Sequence, residues 1–216
     1  MTIESPEPPH AKPSGHRWLD FLVGIAALIT SAMSIFMALE NSHSMQNLVH
    51  ANSWPFLQIS SSNTAEDNVT RTLVFDLKNA GTGPARIYYV QFLVNGRSVS
   101  GRNPLVSIAT ACCNAEFTPL ASAPNRWDQL GEVITSPLGP SVLAANDRFD
   151  ALRWQRKDSN AALWDAVDQA RQRGDVAVRA CYCSVFDECW IAETNTLPQQ
   201  LSGLCPTHTV SSALRG

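Results

Sequence analysis

From Phe21 to Leu39 the chain reads FLVGIAALITSAMSIFMAL, nineteen consecutive residues without a charge. As a helix rising ~1.5 Å per residue this stretch is about 28 Å long, close to the ~30 Å hydrocarbon core of a bilayer. A buried core helix is usually shorter and amphipathic, and a cleavable signal peptide has an apolar region of only ~7–15 residues. The segment therefore reads as one membrane span, with the lipid bilayer as its partner through Phe21–Leu39. Cleavage after Ala32, where ITSA offers Thr30 and Ala32 to a peptidase, is the alternative.

Orientation follows from the basic residues, which are retained on the cytoplasmic side. Lys12 and Arg17 precede the span, and neither Lys nor Arg occurs between Glu40 and Thr70. Trp18 stands where an interfacial aromatic anchors a helix, and the Pro-rich SPEPPHAKPSGH ahead of it lacks the apolar surface to fold. Residues 1–17 are expected to be a disordered cytoplasmic tail, 18–40 the anchor and 41–53 a stalk able to continue the helix. Everything beyond is then outside the cytoplasm. In a bacterium that arrangement is a single pass through the inner membrane with a periplasmic domain, where thiols are oxidised. The formal charge of −3 over 216 residues gives no electrostatic reason to expect a nucleic-acid partner.

From Trp54 the pattern changes to short β-rich runs separated by turn residues: PFLQIS, TRTLVFDLKN, ARIYYVQFLVNGRSVS, EVITS, SVLA and RFDALRW. Asn95-Gly96 predicts a hairpin turn with positive φ at both positions, joining Tyr88–Val94 to Arg97–Ser100. In its first strand Tyr88, Val90, Phe92 and Val94 fall on one face by the period of two. One helix is expected after Asp158 or Ser159, with Leu163, Ala166, Val167 and Ala170 as its apolar stripe, Arg171 and Arg173 at its negative end and Gly174 as its stop. Asp165 and Asp168 fall on the outer, solvated face of that helix. Pro104–Cys113 reads equally as a short helix or a strand. The fold class is mainly β: an antiparallel β-sandwich over 54–195 behind the anchor, with one amphipathic helix inserted before the last hairpin and an irregular tail over 196–216. An open sheet packed on the helix is the alternative.

KNAGTGPARIYYVQFLVNG, Lys78 to Gly96, resembles a segment of uncharacterised bacterial single-pass membrane proteins that carry an extracytoplasmic immunoglobulin-like β-sandwich. The shared elements are Asn79, Gly81, Gly83, Pro84 and Ala85 followed by an apolar strand. Glycines free the backbone for a tight inter-strand loop and Pro84 sets φ before the next strand. The resemblance implies a fold and no activity. A phosphate-loop reading of GTGPAR fails, because a β-rich run rather than a helix N-terminus follows and no Gly-Lys-Ser/Thr is present.

Three of the six cysteines lie within RACYCSVFDECW, Arg179 to Trp190. A strand over Val176–Cys183 turns Val176, Val178, Ala180 and Tyr182 to one face and Cys181 and Cys183 to the other. Same-face neighbours stand roughly 6.5–7 Å apart, too far for a good disulfide, so each thiol needs another partner. With a five-residue loop, Ser184 to Glu188, Cys189 stands directly opposite Cys183; with a two-residue Asp187-Glu188 turn it faces away. Asp-Glu lacks the Gly or Asn of a tight primed turn, which favours the longer loop. Cys205 can return to Cys181 or Cys189. Cys112 and Cys113, being neighbours, are expected to bond elsewhere rather than to each other. An even cysteine count in an oxidising compartment makes Cys112, Cys113, Cys181, Cys183, Cys189 and Cys205 disulfide candidates. The rival is a metal or redox site, Cys181-x-Cys183 with Cys205-x-x-His208, whose sulfurs and imidazole suit copper(I) or zinc.

No G-x-S-x-G elbow, H-E-x-x-H helix or C-x-x-C pair occurs. His43 and His50 fall in the stalk and read as solvated. The sequence thus points to an accessory module without catalytic residues or cofactor, binding another envelope or membrane protein, with metal handling or thiol redox chemistry as the alternative.

Overall fold

The computed structural model describes residues 17–65 and 69–206 of the chain; all of the expected N-terminal tail but Arg17, and His208, lie outside them. The chain divides into two units, one ending at Val49 and one from His50 onward. Helix α1, Arg17–Asn52, runs without a break through the expected anchor and the expected stalk. Its described side chains are exposed, and an 18-residue window reaches a mean hydropathy of 2.2, so it is long and apolar enough to cross a membrane.

The second unit runs in the order β1 (Leu57–Ser62), β2 (Thr72–Asn79), β3 (Ala85–Val94), β4 (Arg97–Val99), α2 (Pro104–Cys112), α3 (Asn114–Ala121), α4 (Arg126–Leu130), β5 (Val133–Ile134), β6 (Ser141–Leu143) and β7 (Arg148–Gln155). A 3-10 turn at Asp158–Asn160 then leads into α5 (Ala161–Gln172), followed by β8 (Val176–Cys183), β9 (Cys189–Glu193) and β10 (Gln199–Gln200). Two antiparallel sheets result. The first has the order β1-β2-β7-β5; the second has β10-β9-β8-β3-β4, with β6 also on β3. Strand β3 is long enough to be paired by β8 along one edge and by β6 and β4 end to end along the other.

The β3–β4 hairpin forms as its turn residues dictate, with φ of 50 at Asn95 and 73 at Gly96 and Val94 opposite Arg97. The even alternation expected along β3 is broken by an irregularity between Ile87 and Tyr89. Ile87 pairs with Tyr182, Val90 with Ala180, and Tyr88 is the extra residue, left exposed instead of joining the core. A bulge shifts the face on which side chains fall, and a strict period of two cannot foresee one.

Side chains from both sheets meet in one core. Phe75 of β2 meets Phe92 of β3 edge-on with ring centroids 5.5 Å apart. Tyr182 of β8 is fully buried, and its hydroxyl oxygen accepts the N–H of Leu57 from β1 at 3.3 Å. The buried tryptophans keep their indole N–H groups satisfied: Trp154 donates to Leu130 O at 2.7 Å and Trp164 to Trp154 O at 3.0 Å.

Among the described residues four helices, not one, interrupt the strands. Asn103 caps α2 by accepting Val106 N, Pro104 stands at its start, and Leu105, Ile108 and Ala109 bury one face, which resolves the helix-or-strand ambiguity at Pro104–Cys113. Helices α3 and α4 extend the insertion. In α5 the buried set is Leu163, Trp164, Val167, Asp168 and Ala170, so the apolar stripe is rotated toward Trp164 and away from the half-buried Ala166. Gly174, at φ 82, ends it as expected. The tail is not wholly irregular, since β10 pairs with β9.

Candidate functional site

Strand β8 sorts its residues as its alternation requires. Val176, Val178, Ala180 and Tyr182 enter the main core, while Cys181 and Cys183 join a second buried cluster with Cys189 and Cys205, packed by Tyr89, Ile191 and Leu201. The five-residue loop is the one formed, with Cys183 opposite Cys189. Ser184 builds it: its hydroxyl accepts Phe186 N at 3.1 Å and Glu188 N at 3.3 Å, and its N–H donates to Glu188 O at 2.8 Å. Asp187 takes the positive φ of 62 that closes the loop. Cys183 is bonded to Cys189, with Cα atoms 4.0 Å apart.

Cys181 is bonded to Cys205, with Cα atoms 5.9 Å apart. The tail reaches that bond along β10 and through Leu201 N, which donates to Cys189 O at 2.8 Å. The two disulfides touch: Cys183 Sγ and Cys205 Sγ are 3.7 Å apart. The sulfurs of Cys183, Cys189 and Cys205 lie within 4.8 Å of one another. A metal there would therefore meet Cys189 in addition to Cys183 and Cys205, and only after reduction, because thiolates and not disulfide sulfurs are the ligands.

Cys112 and Cys113 are bonded to each other, which corrects the expectation that neighbours would seek other partners. The reason is spatial. Cys113 is buried in the main core at the junction of α2 and α3, whereas the other four cysteines form their own cluster. With a sequence separation of 1, this bond encloses almost no chain and contributes little by restricting the unfolded state.

The Asn79-x-Gly81-x-Gly83 segment is a buried corner. Asn79 Oδ1 accepts Phe56 N at 3.2 Å and Gly81 N at 3.0 Å; Nδ2 donates to Gly83 O at 2.8 Å and to Leu143 O and Ala144 O, each at 3.2 Å. One fully buried amide thus ties the chain entering β1 to the loops before β3 and after β6. A Cβ at Gly81 would stand 2.4 Å from Phe56 N and Trp54 O, and one at Gly83 would stand 2.2 Å from Ser53 C. These glycines are required by close backbone approach, not only by freedom of φ.

Asp168 is not on a solvated face. Its carboxylate is buried and accepts from Asn63 at 3.0 Å, from Arg171 at 2.7 Å and from Gln172 at 2.7 Å. Burial alone would raise its pKa, and the hydrogen bonds from Asn63, Arg171 and Gln172, with the Arg171 charge, outweigh it and hold it low. Asp165 is the outer residue, paired with Arg156 at 2.8 Å. His50 stacks on Phe186 with centroids 4.3 Å apart and lies 3.9 Å from Glu188, so it is not simply solvated, whereas His43 is exposed. Among the described residues, one surface groove is lined in part by Glu132 and by Arg153, which is paired with Asp150, and another by Lys78 and by Asp76, which accepts from Ser60.

No protein-family model, curated protein or solved structure matches the chain.

Proposed function

We propose that the chain is a membrane-anchored, extracytoplasmic accessory module in which the two facing sheets act as an immunoglobulin-like sandwich that binds another envelope protein. The anchor is Phe21–Leu39, with the N-terminus cytoplasmic and the domain in an oxidising space, the periplasm of a bacterium. The observation that carries this reading is the pairing of all six cysteines, since disulfides persist outside the reducing cytosol. Supporting it, the buried carboxylate Asp168 is spent on structural hydrogen bonds, and sandwich faces bind partners without titratable clusters. Detergent solubilisation and pull-down of the full chain is expected to recover a stoichiometric companion, and peptide mapping without reductant the three pairings. A protein that purifies alone from its membrane, or whose cysteines alkylate freely in intact cells, refutes it.

A second reading, metal handling at the four-cysteine face, is favoured by the closeness of the Cys183, Cys189 and Cys205 sulfurs. Elemental analysis with thiol counting separates the two: about one equivalent of metal with several free thiols supports the second, and no metal with few free thiols removes it.

A further inference from the structure

The two disulfides on the outer face of β8 are packed sulfur against sulfur, with Cys183 Sγ 3.7 Å from Cys205 Sγ although each is bonded to a different partner. Thiol–disulfide exchange starts from such a contact, because the attacking thiolate must reach a disulfide sulfur directly. Cys181 is not in the group of sulfurs that lie within 4.8 Å of one another. Cys205, whose Sγ touches that of Cys183, is the member open to attack, and its partner Cys181 is in the leaving position.

A cation stands across the ladder from the same residue. Arg86 stands directly opposite Cys183 in the β3–β8 ladder, so the two side chains share a face. Its terminal nitrogen pairs with Asp187, while its Nε is buried without a hydrogen-bond partner. A guanidinium on the same face as Cys183 favours the thiolate over the thiol.

We propose that this face is a thiol–disulfide exchange site for dithiol reductants, and that one electron pair converts its two bonds into a single Cys183–Cys205 bond with Cys181 and Cys189 as thiols. A dithiol that opens Cys183–Cys189 leaves as its own disulfide, and its two protons go to the Cys183 and Cys189 sulfurs. Cys183, on losing its proton, attacks Cys205; the Cys181–Cys205 bond breaks and Cys181 departs as a thiolate that takes up a proton. If the dithiol opens Cys181–Cys205 instead, Cys205 attacks Cys183 and Cys189 departs. Both routes end at the same product, so Cys183 and Cys205 are the exchanging pair whichever bond is reduced first. The tail is then tethered two residues further along β8, a shift of roughly 6.5–7 Å. This activity goes beyond the accessory reading and does not depend on the identity of any companion.

The full chain in detergent is titrated stepwise with dithiothreitol, quenched by alkylation and cut after Tyr182, which separates Cys181 from Cys183. The main singly reduced form of this cluster is expected to carry a Cys183–Cys205 cross-link with Cys181 and Cys189 alkylated. Singly reduced forms that keep only the native pairings overturn the proposal. Without reductant, Cys189→Ser is expected to hold Cys183–Cys205 with Cys181 alkylated, and Cys181→Ser the same bond with Cys189 alkylated. Retention of Cys181–Cys205 in the first and Cys183–Cys189 in the second also overturns it, and the native titration remains readable if either variant misfolds.

Discussion

Replacing Asn79 by Ala tests whether the buried corner holds the domain together. The amide is fully buried; its Oδ1 accepts from two main-chain N–H groups and its two Nδ2 hydrogens are shared among three main-chain carbonyls. Truncation leaves the N–H groups of Phe56 and Gly81 without that acceptor, at about 1–3 kcal/mol for each buried donor, while the three carbonyls lose a donor at smaller cost. The sum is about 4 kcal/mol within a range of about 2–6, a large part of the ~5–15 kcal/mol by which domains are stable. At about 2–4 °C per kcal/mol for a domain of this size, the melting temperature is expected to fall by about 8–16 °C. Thermal and urea unfolding of the detergent-solubilised chain, followed by near-ultraviolet circular dichroism, reads this directly. Asn79→Asp is the control for shape. It keeps the acceptor but turns a carboxylate toward the carbonyls of Gly83, Leu143 and Ala144, so it is expected to be no more stable than the Ala variant. A loss below about 1 kcal/mol for Ala, or a well-tolerated Asp, refutes the claim that this amide organises the corner.

Gly83→Ala, normally neutral or favourable by about 0.4–1 kcal/mol through the unfolded chain, is expected to be destabilising because its Cβ would stand 2.2 Å from Ser53 C; a urea midpoint at or above wild type contradicts this. Burial pushes the Tyr182 hydroxyl from 10.0 up to about 12, so its contribution, about 3 kcal/mol, is complete below pH 10.0 and is lost as pH climbs toward about 12. Stability against pH should therefore fall more steeply over that window in wild type than in Tyr182→Phe, which itself loses about 1–3 kcal/mol at neutral pH by orphaning Leu57 N. Asp168→Asn leaves Arg171 buried without its carboxylate and is expected to cost about 3–5 kcal/mol at neutral pH; since the Asp168 pKa is lowered in the fold, the wild-type advantage should vanish as pH falls through the folded value, and an advantage that persists in acid denaturation curves refutes the pairing. The separations of 24 for Cys181–Cys205 and 6 for Cys183–Cys189 predict unequal losses from serine pairs, about 3.5 and about 2 kcal/mol by loop entropy, and equal urea midpoints contradict that account.

What was legible in the chain was local. The Asn95-Gly96 hairpin, the Gly174 stop and the long apolar N-terminal helix are each decided by a few neighbouring residues, and the hairpin, the stop and the helix form. The misreadings have non-local causes. Tyr88 is displaced by a bulge whose partner is β8, almost a hundred residues downstream, and Asp168 is drawn inward by Asn63, 105 residues away. A polar residue on a helix is assigned to water by default, and only a partner brought by the fold reverses that. The helical insertion was half legible. Asn103-Pro104 is a good helix start, but the apolar run behind it has no polar face to set its period, and α3 carries Pro119 inside it.

The cysteines divide along the same line. Cys183–Cys189 needed only the length of a loop, which the absence of a tight-turn pair indicates, and Cys181 could be excluded from bonding Cys183 by strand rise alone. Cys112–Cys113 needed knowledge of where four other sulfurs lie, which only the packed sheets supply. A bond between adjacent residues restricts almost no chain, whereas the bond to Cys205 closes a loop of separation 24 and holds a tail with only a two-residue strand beside it. The six cysteines are thus not equivalent staples. Those on the outer face of β8 combine the largest loop constraint with direct sulfur contact and a neighbouring unpartnered guanidinium nitrogen, so the bond that most stabilises the tail is also the one placed to exchange.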